Sequence, residues 1–152
     1  MTNYYYDFKD GKGPVPAHKH SNGGGWVADT ATVDDTAYIG PGALVYGYAK
    51  VSDFAQVYGY AQVYGYAKVY DNAHVYDNAK VYDNAHVLGN AIISDNAKVY
   101  GYAQVYGYAL VYGYAKVYGY ALVSDYAKVS DYALVYGYAQ VYGYALVYGY
   151  AK

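Results

Sequence analysis

Cysteine is absent from the 152-residue chain, and proline, phenylalanine and tryptophan are scarce, with three, two and one copies. The lack of cysteine excludes disulfide bonds and zinc–thiolate sites, although it says little about the redox compartment. Charge is also low, and the net charge of −2 gives no reason to expect a nucleic-acid or anionic-membrane partner. One residue type is in great excess, because the chain contains 29 tyrosines.

Neither a secretory signal nor a membrane span is predicted. Residues 1–10 are polar and aromatic and have no apolar h-region, so we expect no signal peptide; the location is unknown and cytoplasmic by default. Residues 133–151 are uncharged and long enough to span a bilayer. They contain three Gly, six Tyr and a Gln in strict six-residue units, however, and this pattern argues against a membrane helix.

A six-residue repeat fills residues 27–152. Every sixth residue from Val27 to Val147 is Val or Ile and every fifth place is Ala, giving 21 units with the consensus V-Y-G-Y-A-K. In an extended chain the Ala and the next Val share one face, while the mostly polar residue between them points outward. The third place is Gly or Asp almost throughout, and both tolerate turn conformations. Each unit therefore predicts a short strand followed by a bend, since a period of six fits no helical face.

These units resemble the hexapeptide repeat, [LIV]-[GAED]-x-x-[STAV]-x, of left-handed parallel β-helix proteins. The aliphatic and Ala positions fit in all 21 units, whereas the second place is usually Tyr. The resemblance implies three units per coil, a triangular cross-section and left-handed winding, so that residues 27–152 make seven coils of 18 residues. At a strand spacing of roughly 4.8 Å the prism would be about 34 Å long. The predicted fold class is all-β, a left-handed parallel β-helix (β-solenoid).

Residues 1–26 lie outside the repeat and are predicted to form an irregular N-terminal cap on the solenoid of residues 27–152. Their many Gly and Pro residues indicate turns and irregular backbone. Solenoids commonly have atypical terminal units that cover the core and the strand edges. Phe8 and Trp26 are expected to be the apolar part of this cap, and a disordered tail is the alternative.

A coil of 18 residues sorts the second-place residues into three columns. Ser or Leu interrupts two of these columns, and the third is tyrosine from residue 46 onward. Offset stacking of aromatic rings contributes about 0.5–1.5 kcal/mol per pair beyond burial. The third column is therefore predicted to be a stacking or ligand-binding ladder, which consists of Tyr46, Tyr64, Tyr82, Tyr100, Tyr118 and Tyr136.

The three C-terminal coils are apolar outside as well as inside. The fourth place is Tyr in nine consecutive units from Tyr102 to Tyr150, and the sixth place becomes Leu four times. Large exposed apolar patches are rare on monomers, and an uncapped coil presents open strand edges. We expect a homodimer rather than a head-to-tail filament, because a two-fold arrangement closes. The predicted self-association residues are Leu110, Leu122, Leu134, Leu146, Tyr138, Tyr144, Tyr148 and Tyr150.

No enzyme activity, cofactor or metal site is predicted. Hexapeptide-repeat proteins are best known as acyltransferases with a catalytic His near a cleft, but no loop interrupts the units of this chain. His74 and His86 are 12 residues apart, which puts them on different faces of an 18-residue coil, and both are expected to be solvated. A zinc site resembling that of γ-class carbonic anhydrases needs three convergent His. His18 and His20 could share a metal, but no third ligand is evident. The corner Asp residues do not match the nine-residue calcium repeat.

Lys80, Lys98 and Lys116 should stack on one face, since they are 18 residues apart. This strip could bind an anionic ligand, or it could be a solubilising lane flanked by Asp77 and Asp95. Stacked like charges cost a little stability. Basic and aromatic surface together is also what single-stranded nucleic-acid binders use, but the negative net charge argues against that partner.

The tyrosine arrays leave several functions open. A structural protein that associates with itself is the predicted function, with the biological role unknown. The alternative is a ligand-binding surface on the ladder for a polysaccharide, whose sugar faces would stack on the rings, or for ice, although the Thr-x-Thr lane of antifreeze solenoids is missing. Repeat duplication could also have amplified tyrosines that do nothing beyond stacking.

Overall fold

The computed structural model describes residues 4–152, and this range contains strands and turns without a helix. It therefore has no helix that could cross a membrane. The first strands are β1 (Tyr4–Asp7), β2 (Pro14–Lys19) and β3 (Trp26–Ala28). Two-residue strands follow, one for each later sixth-place residue up to Leu146 and the Val or Ile after it: β4 (Thr32–Val33), β5 (Tyr38–Ile39), β6 (Leu44–Val45), β7 (Lys50–Val51), β8 (Gln56–Val57), β9 (Gln62–Val63), β10 (Lys68–Val69), β11 (His74–Val75), β12 (Lys80–Val81), β13 (His86–Val87), β14 (Ile92–Ile93), β15 (Lys98–Val99), β16 (Gln104–Val105), β17 (Leu110–Val111), β18 (Lys116–Val117), β19 (Leu122–Val123), β20 (Lys128–Val129), β21 (Leu134–Val135), β22 (Gln140–Val141) and β23 (Leu146–Val147).

The strands form three sheets that make the three sides of a solenoid. Sheet A has the order β1-β2-β3-β6-β9-β12-β15-β18-β21, sheet B runs from β4 to β22 and sheet C from β5 to β23 in steps of three strands. From β3 onward every pair is parallel and joins residues 18 apart, as in Lys80 opposite Lys98. Residues 27–152 therefore form seven coils, which we number from 27–44 to 135–152. This confirms the predicted all-β parallel solenoid and its 18-residue period.

The core consists of the first-place and fifth-place side chains. From Ala37 to Ala133 every one of these Val, Ile and Ala residues is completely buried. Fully burying a Val side chain contributes about 1.5–3 kcal/mol, and the repeat supplies one such residue per unit. The predicted inward column of Val and Ala is confirmed.

Backbone hydrogen bonds join successive coils at alternate places of each unit. The N–H groups of Tyr100 and Tyr102 donate to the carbonyls of Val117 and Gly119, at 2.9 and 2.8 Å. Within a corner, the fifth-place N–H donates back to the second-place carbonyl, as in Ala103 to Tyr100 at 3.3 Å. The third-place residue between them has positive φ in every unit from Gly47 to Gly149. This conformation explains why the place is restricted to Gly and Asp from the second coil onward.

The corner aspartates also bind the coil that follows. The Asp95 carboxylate accepts the N–H of Gly113 at 3.0 Å, and the Asp125 carboxylate accepts the N–H of Gly143 at 3.0 Å. Each bond satisfies a third-place N–H group of the next coil. An Asp at this place therefore offsets part of its backbone strain by capping the next coil, which a Gly at the same place does not do.

The segment before the coils is more regular than expected. β1 and β2 form an antiparallel hairpin, and β2 pairs antiparallel with β3, so the hairpin extends sheet A. On sheet C, Gly25 donates its N–H to the Ile39 carbonyl and Ile39 donates to the Asn22 carbonyl. Phe8 is buried, as predicted for the cap, and Trp26 is partly buried beside it. Residues 1–3 of the predicted cap lie outside the described residues.

Candidate functional site: tyrosine ladders, an open coil edge and a lysine groove

The predicted ladder on sheet A is a continuous stack of rings. Neighbouring ring centroids from Tyr46 to Tyr118 lie 4.8–5.0 Å apart with interplanar angles of 1–4°. The last pair, Tyr118 and Tyr136, is looser, at 5.4 Å and 12°. The parallel register of sheet A produces this geometry, because it sets each second-place side chain directly beside its neighbour one coil away.

The cap continues the same stack toward the N-terminus. Phe8 stacks on Tyr46 at 4.8 Å, and Tyr6 packs edge-on against Phe8 and stacks on Trp26, also at 4.8 Å. Tyr46 is consequently only 6 % exposed, and its hydroxyl donates to Gln62 Oε1 at 3.0 Å. The hairpin of the cap is therefore fixed to the solenoid by an aromatic cluster.

Burial changes the acidity of the ladder phenols. It raises the pKa of Tyr82 to about 12, with smaller contributions from Tyr64, Tyr100 and the Asp83 carboxylate. Burial also raises the pKa of Tyr46, Tyr64 and Tyr100 above the ordinary value. All of these groups are therefore neutral at physiological pH.

The ladder geometry does not favour a ligand-binding role for these tyrosines. A sugar stacks on the face of a ring, but each inner ring of the ladder has both faces against its neighbours. Only ring edges and hydroxyl groups point outward. An ice-matching plane is not favoured either, because the half-buried lysines of the same sheet lie beside the ladder.

Three further ladders run along the corners of the last three coils. At the corner between sheets A and B, Tyr102, Tyr120 and Tyr138 stack at 5.1 Å. The other two corners carry Tyr108–Tyr126–Tyr144 and Tyr114–Tyr132–Tyr150, with centroids 5.1–5.2 Å apart. From the sequence, these tyrosines were predicted only to be exposed apolar surface. The 18-residue spacing of the fourth place is the signal that would have identified them as stacks.

The seventh coil brings most of the predicted self-association residues together. Tyr138, Tyr144 and Tyr150 are 81, 80 and 80 % exposed, and Leu146 and Tyr148 are exposed beside them. Leu110, Leu122 and Leu134 are half-buried and lie on sheets C, B and A, so they do not form one patch with each other.

The outer edge of the seventh coil lacks the partners that every earlier coil has. In the sixth coil the N–H groups of Tyr118, Leu122 and Tyr126 donate to carbonyls of the seventh coil at 2.9 Å. The matching N–H groups of the seventh coil have no such acceptor among residues 4–152. Val141 and Val147 are only partly buried there, so apolar core and polar backbone are presented at one surface.

The predicted lysine strip lines a groove on sheet A. One wall carries Gln62 and then Lys80, Lys98 and Lys116, which face one another in register on neighbouring strands. The other wall is the corner between sheets C and A, with Tyr60, Asn78, Asn96, Tyr114 and Tyr132. This lysine groove has a volume of about 720 Å³.

The histidines do not form a catalytic or metal constellation in the described part of the chain. His74 and His86 lie on sheets C and B, as predicted, but both are half-buried rather than solvated. Burial lowers the pKa of His86, and the nearby Lys68 ammonium lowers it further. His18 binds the Asp29 carboxylate at 2.7 Å, and within residues 4–152 no three His, Cys, Asp or Glu side chains could hold a metal together.

Comparisons with protein-family models, with curated proteins and with solved structures found no match.

Proposed function

We propose that this protein is a non-enzymatic structural β-solenoid that pairs with a second copy through its seventh coil. The observation that carries the proposal is the apolar outer surface of the last three coils. Three tyrosine ladders run along its corners, from rings that are already about half exposed in the fifth coil to Tyr138, Tyr144 and Tyr150 in the seventh. Large contiguous apolar patches are rare on monomers and mark protein–protein interfaces.

A second copy of the same edge offers complementary groups. Its terminal corner rings are the same tyrosines, and each new ring stack would contribute about 0.5–1.5 kcal/mol beyond the area it buries. Its partly buried Val141 and Val147 would cover the same residues of the first copy. Association would therefore extend the core and the corner ladders from one copy into the next.

The cap supports a closed pair rather than a filament. A filament would need the seventh coil of one copy to stack on the first coil of another. The hairpin of β1 and β2 already occupies the sheet A side of the first coil, and Asn22 and Gly25 bond to Ile39 on sheet C. A two-fold contact between two seventh coils meets no such obstacle and closes after two copies.

The proposal extends to the family and the hand of the coil. The Val or Ile and Ala positions of the units, three units to a coil, support membership of the hexapeptide-repeat family and left-handed winding. A crystal structure decides the hand. The absence of enzyme activity is supported by the separation of His74 and His86 onto different sheets. Incubation with acetyl-coenzyme A and amine acceptors should give no acyl transfer.

Light scattering coupled to size exclusion, over a range of concentrations, tests the pairing. The wild-type chain should elute with twice its mass of 16.7 kDa. A triple variant at the terminal corner rings, Tyr138→Lys, Tyr144→Lys and Tyr150→Lys, should be monomeric, because it places six lysines where two copies meet. The matched control makes the same change at the equivalent corners of the second coil: Tyr48→Lys, Phe54→Lys and Tyr60→Lys.

The control should keep the mass of the wild type, since its three substituted side chains are also exposed but lie far from the seventh coil. A wild-type monomer at all concentrations would contradict the pairing. Dissociation of both variants would show that the seventh coil is not the specific interface. A mass that grows without limit as the concentration rises would replace the closed pair by a filament.

A further inference from the structure

The lysine groove contains charged side chains that play no part in pairing through the seventh coil. Lys80, Lys98 and Lys116 stand side by side on successive strands of sheet A. They are half-buried in the groove wall, whereas Lys50 and Lys68, which form a similar pair on sheet B, are exposed.

The three groove lysines form no ion pair in the described structure. Within residues 4–152 the one ion pair joins His18 and Asp29, so no carboxylate oxygen lies within 4.0 Å of these ammonium groups. Like charges directly opposite one another in a sheet are destabilising, and partly buried charges are screened less by salt. An anion that brings one negative charge to each coil would remove this repulsion.

The opposite wall of the groove contains a notch between two rings. Tyr60 and Tyr114 are separated along the corner by Asn78 and Asn96. Tyr114 stacks on Tyr132, which leaves its other face toward Asn96, and Tyr60 is 72 % exposed. The two rings are three coil steps apart, about 14 Å at the usual strand spacing. The two amides between them offer hydrogen-bond donors and acceptors.

We propose that the lysine groove binds a linear acidic polysaccharide of the uronic-acid type that lies along the solenoid axis. Its carboxylates pair with the three lysines, one for each coil, and its hydroxyls bond to the amides of Asn78 and Asn96. The uncovered faces of Tyr60 and Tyr114 receive sugar rings at the two ends of the notch. This site differs from the ladder on sheet A, whose inner ring faces are already occupied.

The charges around the notch favour a carboxylate polymer over a phosphate polymer. Asp77 and Asp95 line the far side of the notch, and the net charge of the chain is −2. Nucleic acids and polyphosphates are neutralised by several cations at once, and their binding depends on a dense basic surface. One lysine per coil beside these carboxylates suits the lower charge density of a uronic-acid chain.

Binding of a galacturonic-acid oligosaccharide, measured by calorimetry at low salt, tests the proposal. The wild-type chain should bind it, and the fully methyl-esterified oligosaccharide should not bind. The variant Lys80→Gln, Lys98→Gln, Lys116→Gln should bind at least about tenfold more weakly. The control makes the same three changes outside the groove, at Lys50, Lys68 and Lys128, and should bind as the wild type does.

A second pair of variants tests the notch without changing charge. Asn78→Tyr with Asn96→Tyr fills the gap between Tyr60 and Tyr114 and should also weaken binding at least about tenfold, since bulky rings replace the amides. The control, Asn72→Tyr with Asn90→Tyr, fills the equivalent gap at the corner between sheets B and C, where no lysine groove lies. Both variants extend a ladder, so both should melt at or above the wild-type temperature.

Four results would overturn the proposal: no binding of the oligosaccharide by the wild type, equal binding of its methyl ester, equal loss in the groove and control lysine variants, or equal loss in the two asparagine variants. Tighter binding of a polyphosphate or a thymidine oligonucleotide would also overturn it and would assign the groove to a phosphate polymer.

Discussion

Substitution of Tyr82 by serine tests how much the ladder on sheet A stabilises the solenoid. Tyr82 stacks on Tyr64 at 5.0 Å and on Tyr100 at 4.9 Å, so the change removes two ring pairs. The backbone tolerates serine at this place, because Ser52 and Ser94 occupy it in other units.

The matched control is Tyr106→Ser on sheet B. Tyr106 is a half-buried second-place tyrosine like Tyr82, but its column neighbours are Leu88 and Ser124 rather than rings. Both substitutions remove the same atoms from the same place of the unit. The difference between them therefore isolates the two stacked pairs.

At about 0.5–1.5 kcal/mol per pair, Tyr82→Ser should lower the free energy of unfolding by about 1–3 kcal/mol more than Tyr106→Ser does. For a chain of this length each kcal/mol corresponds to a shift of about 2–4 °C in Tm, so the two variants should differ by about 2–12 °C. Tyr82→Phe should stay close to the wild type, because it keeps the ring.

Urea unfolding followed by far-ultraviolet circular dichroism measures these free energies, provided that the m-values of the variants agree. Equal losses for Tyr82→Ser and Tyr106→Ser would refute the reasoning, since stacking would then add nothing to burial. A loss in Tyr82→Phe as large as that in Tyr82→Ser would assign the effect to the hydroxyl group instead.

Three other predictions follow from the corners, the phenols and the half-buried histidine. The pKa of Tyr82 is raised to about 12, so the stability this residue contributes is complete below pH 10 and declines as pH rises through 12. Phenolate absorbance should show the late ionisation of Tyr82. The free energy of unfolding of Tyr82→Phe should depend less on pH in that window. Gly101→Ala should destabilise the protein by about 1–2 kcal/mol, because Gly101 has positive φ. Gly101→Asp should be about 0.5–1.5 kcal/mol more stable than Gly101→Ala, because its carboxylate can accept the Gly119 N–H. Thermal unfolding of both variants measures the difference. Lys68→Gln should raise the pKa of His86 toward the ordinary histidine value, although burial should still hold it lower. A histidine titration followed by NMR that showed no change would contradict the assigned cause.

Much of the fold could be predicted from the sequence because every unit repeats the same pattern of apolar and turn-forming residues. The Val or Ile and Ala of each unit fix the inward face, and the third-place Gly and Asp fix the bend. The column from Tyr46 to Tyr136 followed from the 18-residue period, and its rings are stacked as predicted.

Other features depend on contacts between coils that no single unit contains. The bond from Asp95 to the Gly113 N–H exists only because the register places the carboxylate beside the next coil. From the sequence, an Asp at the third place could be recognised as a turn residue, but its hydrogen bond to the next coil could not be predicted. The hairpin of β1 and β2 was missed because Gly and Pro interrupt the segment and no periodicity marks its strands.

The repeat has two periods, six residues for the core and 18 residues for the surface columns, and these constrain the insertions and deletions that the chain can accept. The core has a period of six, because every unit supplies the same Val or Ile and Ala. The ladders, the lysine groove and the aspartate caps have a period of 18, because they need residues on the same side of the solenoid. Removing six residues from the middle would leave a sound core but would shift every later column to another face. The ladder on sheet A would then be interrupted, because the column that would continue it contains Leu88 and Ser124. Removing 18 residues would shorten the stacks and keep their alignment. The core therefore tolerates insertions and deletions of six residues, whereas the surface columns stay aligned only when the length changes by a multiple of 18 residues.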